Sequence, residues 1–236
     1  MVCKKADEGG KLYSGFKKQI TQEEYRQRIA DGTITEVLAE HFVKPGDVFY
    51  IPAGRVHAIC GGILLAEVQQ SSDLTYRIYD YKRPGLDGKP RELHTELASK
   101  ALNFQVEENY RTDYRDDLDK ANKVISSPYF DVRVMELTKP MHRNMLKYDT
   151  FVISMCFEGD CKIRVRSTGD EIILKEGNST LIPASIADYD IIPLTAKTRI
   201  LDSFINNMEK DIVHRIKRSL IYRRRSRRVR FCPEAE

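Results

Sequence analysis

The sequence predicts an all-β protein made of two similar β-barrels with short helical insertions. Short apolar stretches separated by turn-forming residues fill 42–81 and 129–206, a texture typical of barrels and sandwiches. The pattern G-x5-P-x-[GS]-x2-[HD] occurs twice with the same spacing, from Gly46 to His57 and from Gly177 to Asp188. Two copies of one supersecondary unit indicate two related barrels.

The individual elements follow from local signals. Thr21 and Glu24 form a capping-box pattern, which predicts a helix over 21–30, and Asp31-Gly32 ends it before a second short helix at 33–40. The remaining predicted elements are strands at 48–51, 63–70 and 75–81, a polar loop at 82–91, an outer helix at 92–103, a connector at 106–125, and a run of strands from 129 onwards.

Composition excludes several classes of protein. The 236 residues contain no apolar run of membrane-spanning length and no signal-peptide core, so we expect a cytoplasmic protein without a membrane partner. The five cysteines include no CxxC pair, which argues against a cysteine-based zinc site and against a disulfide framework. Reduced, mostly buried thiols are expected instead.

The net charge of +4 is concentrated at the end of the chain. Residues 210–236 hold ten Lys/Arg against three acids, whereas the preceding body is mildly acidic. A nucleic-acid function for the whole protein therefore does not follow. The tail is either a disordered extension or a basic helix that binds nucleic acid or an acidic membrane, and in the second case association would be salt-sensitive and require the tail.

Three segments carry a resemblance to a known family. The motif ending at His57 resembles the second motif of the cupin barrels. The longer segments IPAGRVHA (51–58), AEVQQSSDLTYRIYD (66–80) and GKPRELH (88–94) resemble the type I mannose-6-phosphate isomerases, in their short bacterial form. The resemblance covers about residues 8–205. It implies two cupin barrels, of which the first is incomplete, and a protein that acts on a small sugar phosphate.

The resemblance also implies roles for two residues. The family histidine that matches His57 ligates zinc, and the arginine that matches Arg77 is catalytic. The second barrel of the family carries no metal, in agreement with Asp188 at the matching position. Three further family ligands, a Gln, a His and a Glu, lie upstream and have no match here. We therefore expect an N-terminally truncated isomerase whose activity is impaired unless another chain supplies the absent part.

These roles are chemically reasonable for the interconversion of mannose 6-phosphate and fructose 6-phosphate. Aldose–ketose isomerisation moves a proton between C1 and C2 through an anionic enediolate, which a zinc ion and a permanent guanidinium can stabilise. Alternatives stay open for each residue. His57 could be structural, since zinc needs three or four protein ligands. Arg77 could be a surface arginine paired with Asp80 or Glu67.

Other polar residues are weaker candidates. Glu67 and Gln69 share one strand face and could line the pocket, or could pair across strands at the surface. Lys89 and Arg91 could attract the phosphate, although charges in loops are usually only solvated. His94 lies in the outer helix and is expected to be structural.

The sequence predicts four regions. Residues 1–105 form the remainder of the metal-binding barrel with its helical insertion, 106–128 the connector, 129–206 the metal-free barrel, and 207–236 the basic extension. The alternative function is a non-catalytic cupin-like module that binds a sugar or a protein partner. The oligomeric state stays open.

Overall fold

The computed structural model describes residues 1–71, 75–80, 84 and 88–206. This part of the chain is mostly β, which confirms the predicted fold class. The strands that precede residue 70 are β1 (Val2–Ala6), β2 (Lys11–Phe16), β3 (Leu38–Phe42), β4 (His57–Ile59) and β5 (Ile63–Ala66). The later strands are β6 (Asn122–Ser126), β7 (Asp131–Leu137), β8 (Met141–Asn144), β9 (Val152–Glu158), β10 (Cys161–Val165), β11 (Glu171–Leu174), β12 (Ser179–Ile182), β13 (Asp188–Pro193) and β14 (Thr198–Phe204).

The later strands form two antiparallel sheets that pack face to face. Their strand orders are β12-β9-β14-β7-β6 and β11-β10-β13-β8. Every second residue of a strand points to the same side, and the inward-facing side chains of both sheets fill one apolar cluster, which includes Met135, Ile163, Ile191 and Ile200. This arrangement agrees with the strands expected from residue 129 onwards. Strand β8 is an additional element that the sequence did not predict.

The earlier strands form two smaller sheets, β3-β2-β4 and β1-β5. Helix α1 (Gln22–Asp31), helix α2 (Thr95–Ala101) and a 3-10 turn at Ile34–Val37 cover the first of these sheets. Their apolar side chains join the sheet in a cluster that includes Phe16, Tyr25, Ile34, Val56 and Ala98. No helix in the described ranges is both long enough and apolar enough to cross a membrane.

Helix α1 begins as the sequence predicts. The Thr21 side-chain oxygen accepts a hydrogen bond from the Glu24 backbone N–H at 3.1 Å. The Glu24 carboxylate does not complete a reciprocal capping box, because it lies 2.8 Å from Arg28 Nε and 3.1 Å from Lys18 Nζ. The helix ends at Gly32, which adopts the left-handed conformation with φ 72°.

Four element predictions need correction. The expected helix at 33–40 is a 3-10 turn followed by β3, because residues from Leu38 onwards pair with β2, a strand that was not predicted. Of the expected strand 48–51, only the first two residues pair: Val48 forms a bridge to Val2, and the Phe49 backbone is hydrogen-bonded to Met1. Residues 75–80 belong to no strand. The outer helix is shorter than 92–103.

The two parts of the chain share a core. Val2, Val48 and Ala66 pack with Val132 and Leu201 in one buried cluster. An ion pair between Lys4 Nζ and Glu176 Oε1, 2.6 Å apart, joins β1 to the loop before β12. The predicted boundaries at 105 and 128 stay predictions, and the basic extension 207–236 lies outside the described residues.

Candidate active site

A cavity of about 340 Å³ lies between the two parts of the chain. Residues 48–57 and 66–70 form one side, and residues around the turn between β6 and β7 form the other. Its polar lining residues are Tyr50, Arg55, His57, Glu67, Gln69 and Gln70. Apolar side chains of the shared core, including Val2 and Val132, form its floor. A concave pocket of this size with a few polar groups is typical of a small-molecule site.

A sharp turn places His57 at the mouth of this cavity. Gly54 has φ +83°, and a Cβ there would lie 2.6 Å from the backbone oxygen of Ala101, so only glycine fits this close approach. Three residues further on, the chain enters β4, where His57 lies opposite Ser14 of β2. Directly opposed residues share a sheet face, and Ser14 is fully buried. His57 therefore lies on the inner face of its sheet, although its own side chain is exposed.

One ring nitrogen of His57 is already engaged. Its Nδ1 lies 3.2 Å from the backbone oxygen of Arg55. A carbonyl can only accept, so Nδ1 carries the proton and donates. Nε2 of the neutral ring then has its lone pair available, which is the arrangement usual for a metal-ligating histidine.

In the part of the chain that the structure describes, His57 lacks the further donors that a zinc ion would need. Within residues 1–71, 75–80, 84 and 88–206, no group of three or more His, Cys, Asp or Glu side chains could hold a metal ion. Zinc sites in proteins use three or four such ligands. The described residues thus do not fit a zinc site by themselves.

Arg77 is held by a segment outside the cavity lining. Its backbone N–H donates to His94 Nδ1 at 3.1 Å, and its carbonyl accepts from the His94 backbone N–H at 2.8 Å. Its guanidinium Nη1 donates to the Glu92 backbone oxygen at 3.3 Å. Arg77 is not among the residues that line the cavity with His57. The expectation that both residues act at one site stays a prediction.

The remaining sequence candidates divide into two groups. Glu67 and Gln69 both line the cavity, as one of their two interpretations proposed. Arg91 instead donates from Nε to the buried Asp80 carboxylate at 2.6 Å, with a second bond from its Nη2. The Arg91 guanidinium is therefore paired with the Asp80 carboxylate, whereas the Lys89 side chain is exposed to solvent.

The second copy of the repeat differs from the first in orientation. Asp188 opens β13 as His57 opens β4. The next residue, Tyr189, and Ile191 are fully buried in the core of the later sheets, so Asp188 lies on the opposite, outer face. There its carboxylate is hydrogen-bonded to His142 Nε2.

Sequence reasoning missed the cavity wall that comes from the later part of the chain. Ile125, Tyr129 and Phe130 line the cavity opposite Glu67. Tyr129 and Phe130 precede β7 and carry no motif, so only knowledge of how the two parts pack could have identified them. Arg55 was also missed: it donates to the Tyr50 carbonyl at 2.9 Å and is ion-paired with Glu107.

The described residues form an all-β protein with a cupin-like fold, and its cavity has the size and polarity of a small-molecule site. Among curated proteins, the chain is 31% identical over 173 residues to the probable mannose-6-phosphate isomerase GmuF of Bacillus subtilis, which covers 72% of the chain and 54% of that protein. It is 32% identical over 185 residues to the mannose-6-phosphate isomerase of Streptococcus mutans, covering 78% and 57% respectively. The chain belongs to the mannose-6-phosphate isomerase family.

Solved structures give the same result. The crystal structure of mannose 6-phosphate isomerase from Bacillus subtilis superimposes with a TM-score of 0.75 and 27% identity, over 86% of this chain and 62% of that one. The apo phosphomannose isomerase of Salmonella typhimurium, at 17% identity and a TM-score of 0.57 over 78% and 49%, shares the fold. The chain spans about half the length of the curated relatives it matches. No protein-family model matches the chain.

Proposed function

We propose that this chain acts in the interconversion of mannose 6-phosphate and fructose 6-phosphate through an enediolate. The observation that carries the proposal is the 31–32% identity to curated proteins that bear the isomerase name, over 72–78% of the chain. The polar cavity beside His57 supports it, since its volume suits a small ligand. The corresponding partner is a small sugar phosphate, and the proposed location is the cytoplasm.

In this proposal the candidate residues have different tasks. His57, with Nδ1 donating to a carbonyl, offers Nε2 as one ligand of a zinc ion. Arg77 supplies a permanent positive charge for the enediolate, because guanidinium stays protonated at all working pH values. Glu67 and Gln69 bind sugar hydroxyls from the cavity wall. Turnover by this chain alone is expected to be weak, since the described residues do not complete a zinc site.

The test is turnover and metal binding by chain purified from a host without its own isomerase. Fructose 6-phosphate formation is followed by coupling to a dehydrogenase, and zinc by competition with a chromogenic chelator. His57→Ala should remove the turnover and the zinc binding that the wild-type chain shows, whereas His142→Ala, an exposed histidine bonded to Asp188, should change neither. Arg77→Lys should lower kcat with zinc unchanged, and Arg166→Lys is its surface control.

A non-catalytic module that binds a sugar or a protein partner is the second candidate. The observation that favours it is that His57 belongs to no group of three or more potential metal ligands among the described residues. Calorimetric binding of mannose 6-phosphate that is lost in Glu67→Gln, together with no turnover at any zinc concentration, would establish this alternative over the isomerase.

A further inference from the structure

The segment that carries Arg77 is bonded to the stretch just before α2. Residues 75–80 belong to none of the strands in the described part of the chain. Within that part, Arg77 and Asp80 form hydrogen bonds with the short stretch Arg91–His94. Backbone N–H and C=O groups away from water need partners, so these contacts help to hold the segment in place.

His94 makes two of these contacts, both with the backbone of Arg77. It accepts the Arg77 backbone N–H on Nδ1 at 3.1 Å and donates its own backbone N–H to the Arg77 carbonyl at 2.8 Å. Both backbone groups of Arg77 are therefore satisfied by one residue. The donor is an N–H, so Nδ1 of His94 is unprotonated and the ring carries its proton on Nε2.

His94 is itself held rigidly. It is the residue at which α2 begins, and its carbonyl accepts from the Ala98 backbone N–H at 2.8 Å. Ala98 is only 1% exposed and packs in the cluster beneath the helices. The position of His94 is thus fixed by a helix that packs its Ala98 and Ser99 face against the core, and the Arg77 backbone is fixed in turn.

A second contact holds the other end of the segment. Asp80 is buried, and the Arg91 guanidinium donates two bonds to its carboxylate. A bidentate arginine–carboxylate pair is geometrically specific. Arg91–Asp80 anchors the segment but does not touch Arg77. The contacts to Arg77 come from His94 and from the Glu92 carbonyl, which accepts the guanidinium Nη1 at 3.3 Å.

We propose that His94 is a positioning residue, which holds the backbone of Arg77 so that its guanidinium is presented to the sugar phosphate. The proposal rests on the proposed function for the role of Arg77, whereas the contact that it invokes exists irrespective of activity. The sequence predicted a merely structural role for His94. The proposed role is more specific, because Nδ1 of His94 accepts a hydrogen bond from the Arg77 backbone.

The experiment compares two variants of nearly equal size in the full chain. His94→Asn places an amide oxygen near the position of Nδ1 and keeps the acceptor, whereas His94→Leu removes it. Hydrogen exchange of the Arg77 amide, read by NMR on ¹⁵N-labelled protein, should be faster in the Leu variant by about tenfold to a hundredfold and close to wild type in the Asn variant. The Ile200 amide in the later sheets is the internal control for global stability.

The kinetic readout uses the same pair. Where the wild-type chain turns over, His94→Leu should lower kcat at least tenfold, with KM changed less, and Asn should restore most of it. Unchanged Arg77 exchange in the Leu variant would overturn the positioning role. Faster exchange with unaltered kcat would overturn its link to the reaction. A wild-type chain without turnover would count against the proposed function alone, because the exchange comparison still decides whether His94 holds Arg77.

Discussion

Replacement of Asp202 by Ala tests how the interior of the later sheets is held together. Asp202 is fully buried, and its carboxylate accepts from Arg143 Nη2 at 3.0 Å and from the Ser154 hydroxyl. The three side chains lie among the apolar residues of the core, since Tyr189, directly opposite Arg143, and Ile200 and Phe204, on the Asp202 face, belong to its cluster.

The expected loss in the free energy of unfolding is large, because the substitution leaves the buried charge of Arg143 without its partner. Arg143 is 7% exposed, and its Nε already has no hydrogen-bond partner. Burial lowers the pKa of Arg143, but the combined effects of Asp202 and Tyr189 outweigh it and raise that pKa overall, so the guanidinium stays charged. Removing one partner of a buried pair typically costs about 3–5 kcal/mol. With a urea slope of about 2 kcal/mol/M, the midpoint should fall by about 1.5–2.5 M.

The assay is urea unfolding followed by far-UV circular dichroism, because the chain contains no tryptophan. Glu171→Ala is the matched control: its ion pair with Lys162 has the same 3.0 Å separation but is partly exposed, so a loss below about 1 kcal/mol is expected. The double variant Arg143→Met/Asp202→Leu should be more stable than Asp202→Ala. A loss for Asp202→Ala no larger than that for Glu171→Ala would refute the reasoning.

Three further predictions concern the earlier part of the chain. Gly54→Ala should destabilise by about 2–4 kcal/mol and displace His57, because a Cβ meets the Ala101 oxygen at 2.6 Å with φ at +83°; urea unfolding and chelator competition measure this. Burial lowers the pKa of His41, so below about pH 6.5 the unfolded chain binds a proton that the folded chain does not. The free energy of unfolding should therefore fall as the pH drops from about 6.5. His41→Gln should flatten this pH profile. Thr21→Ala should cost about 1 kcal/mol in thermal unfolding through loss of the helix cap.

Each of these predictions has its own control. Gly169→Ala has φ +79° with nothing near its Cβ, so it should lose clearly less than Gly54→Ala, and equal losses would contradict the steric argument. His41→Gln keeps a donor for the Ser14 carbonyl, to which Nε2 is hydrogen-bonded at 3.1 Å. An unchanged pH profile in that variant would contradict the assignment to His41. Thr21→Ser should retain most of the stability that Thr21→Ala loses.

The sequence predicted best the elements whose pattern is local. The strands from β7 onwards, apart from β8, alternate or run apolar between clear turns, and the Thr21 cap is a four-residue signal. Strand β1, VCKKA, was missed because its two lysines interrupt the alternation of apolar and polar residues, although Val2 and Cys3 are buried. Residues 75–80 alternate as a strand should, yet form none, because a strand also needs a neighbouring strand, which a local pattern does not reveal.

The residues of the candidate site also divide into those that a local pattern predicts and those that only the packing of the chain brings together. The repeat and the family resemblance located His57, Glu67 and Gln69, all of which line the cavity. Tyr129 and Phe130 on the opposite wall were missed, because they are adjacent to Glu67 only in three dimensions. The contact between Arg77 and His94 likewise joins residues that are neighbours only in three dimensions.

The buried cluster shared by Val2, Ala66, Val132 and Leu201 couples the two parts energetically. Neither part can open without exposing apolar surface of the other, so the described chain should melt as one cooperative unit. The cavity has walls from both parts, and a ligand bound there at a hundred times its Kd would add about 2.7 kcal/mol to that whole unit. Substitutions far from the cavity, in the later sheets, would then weaken the affinity for a ligand of the cavity whenever they increase the population of the unfolded chain.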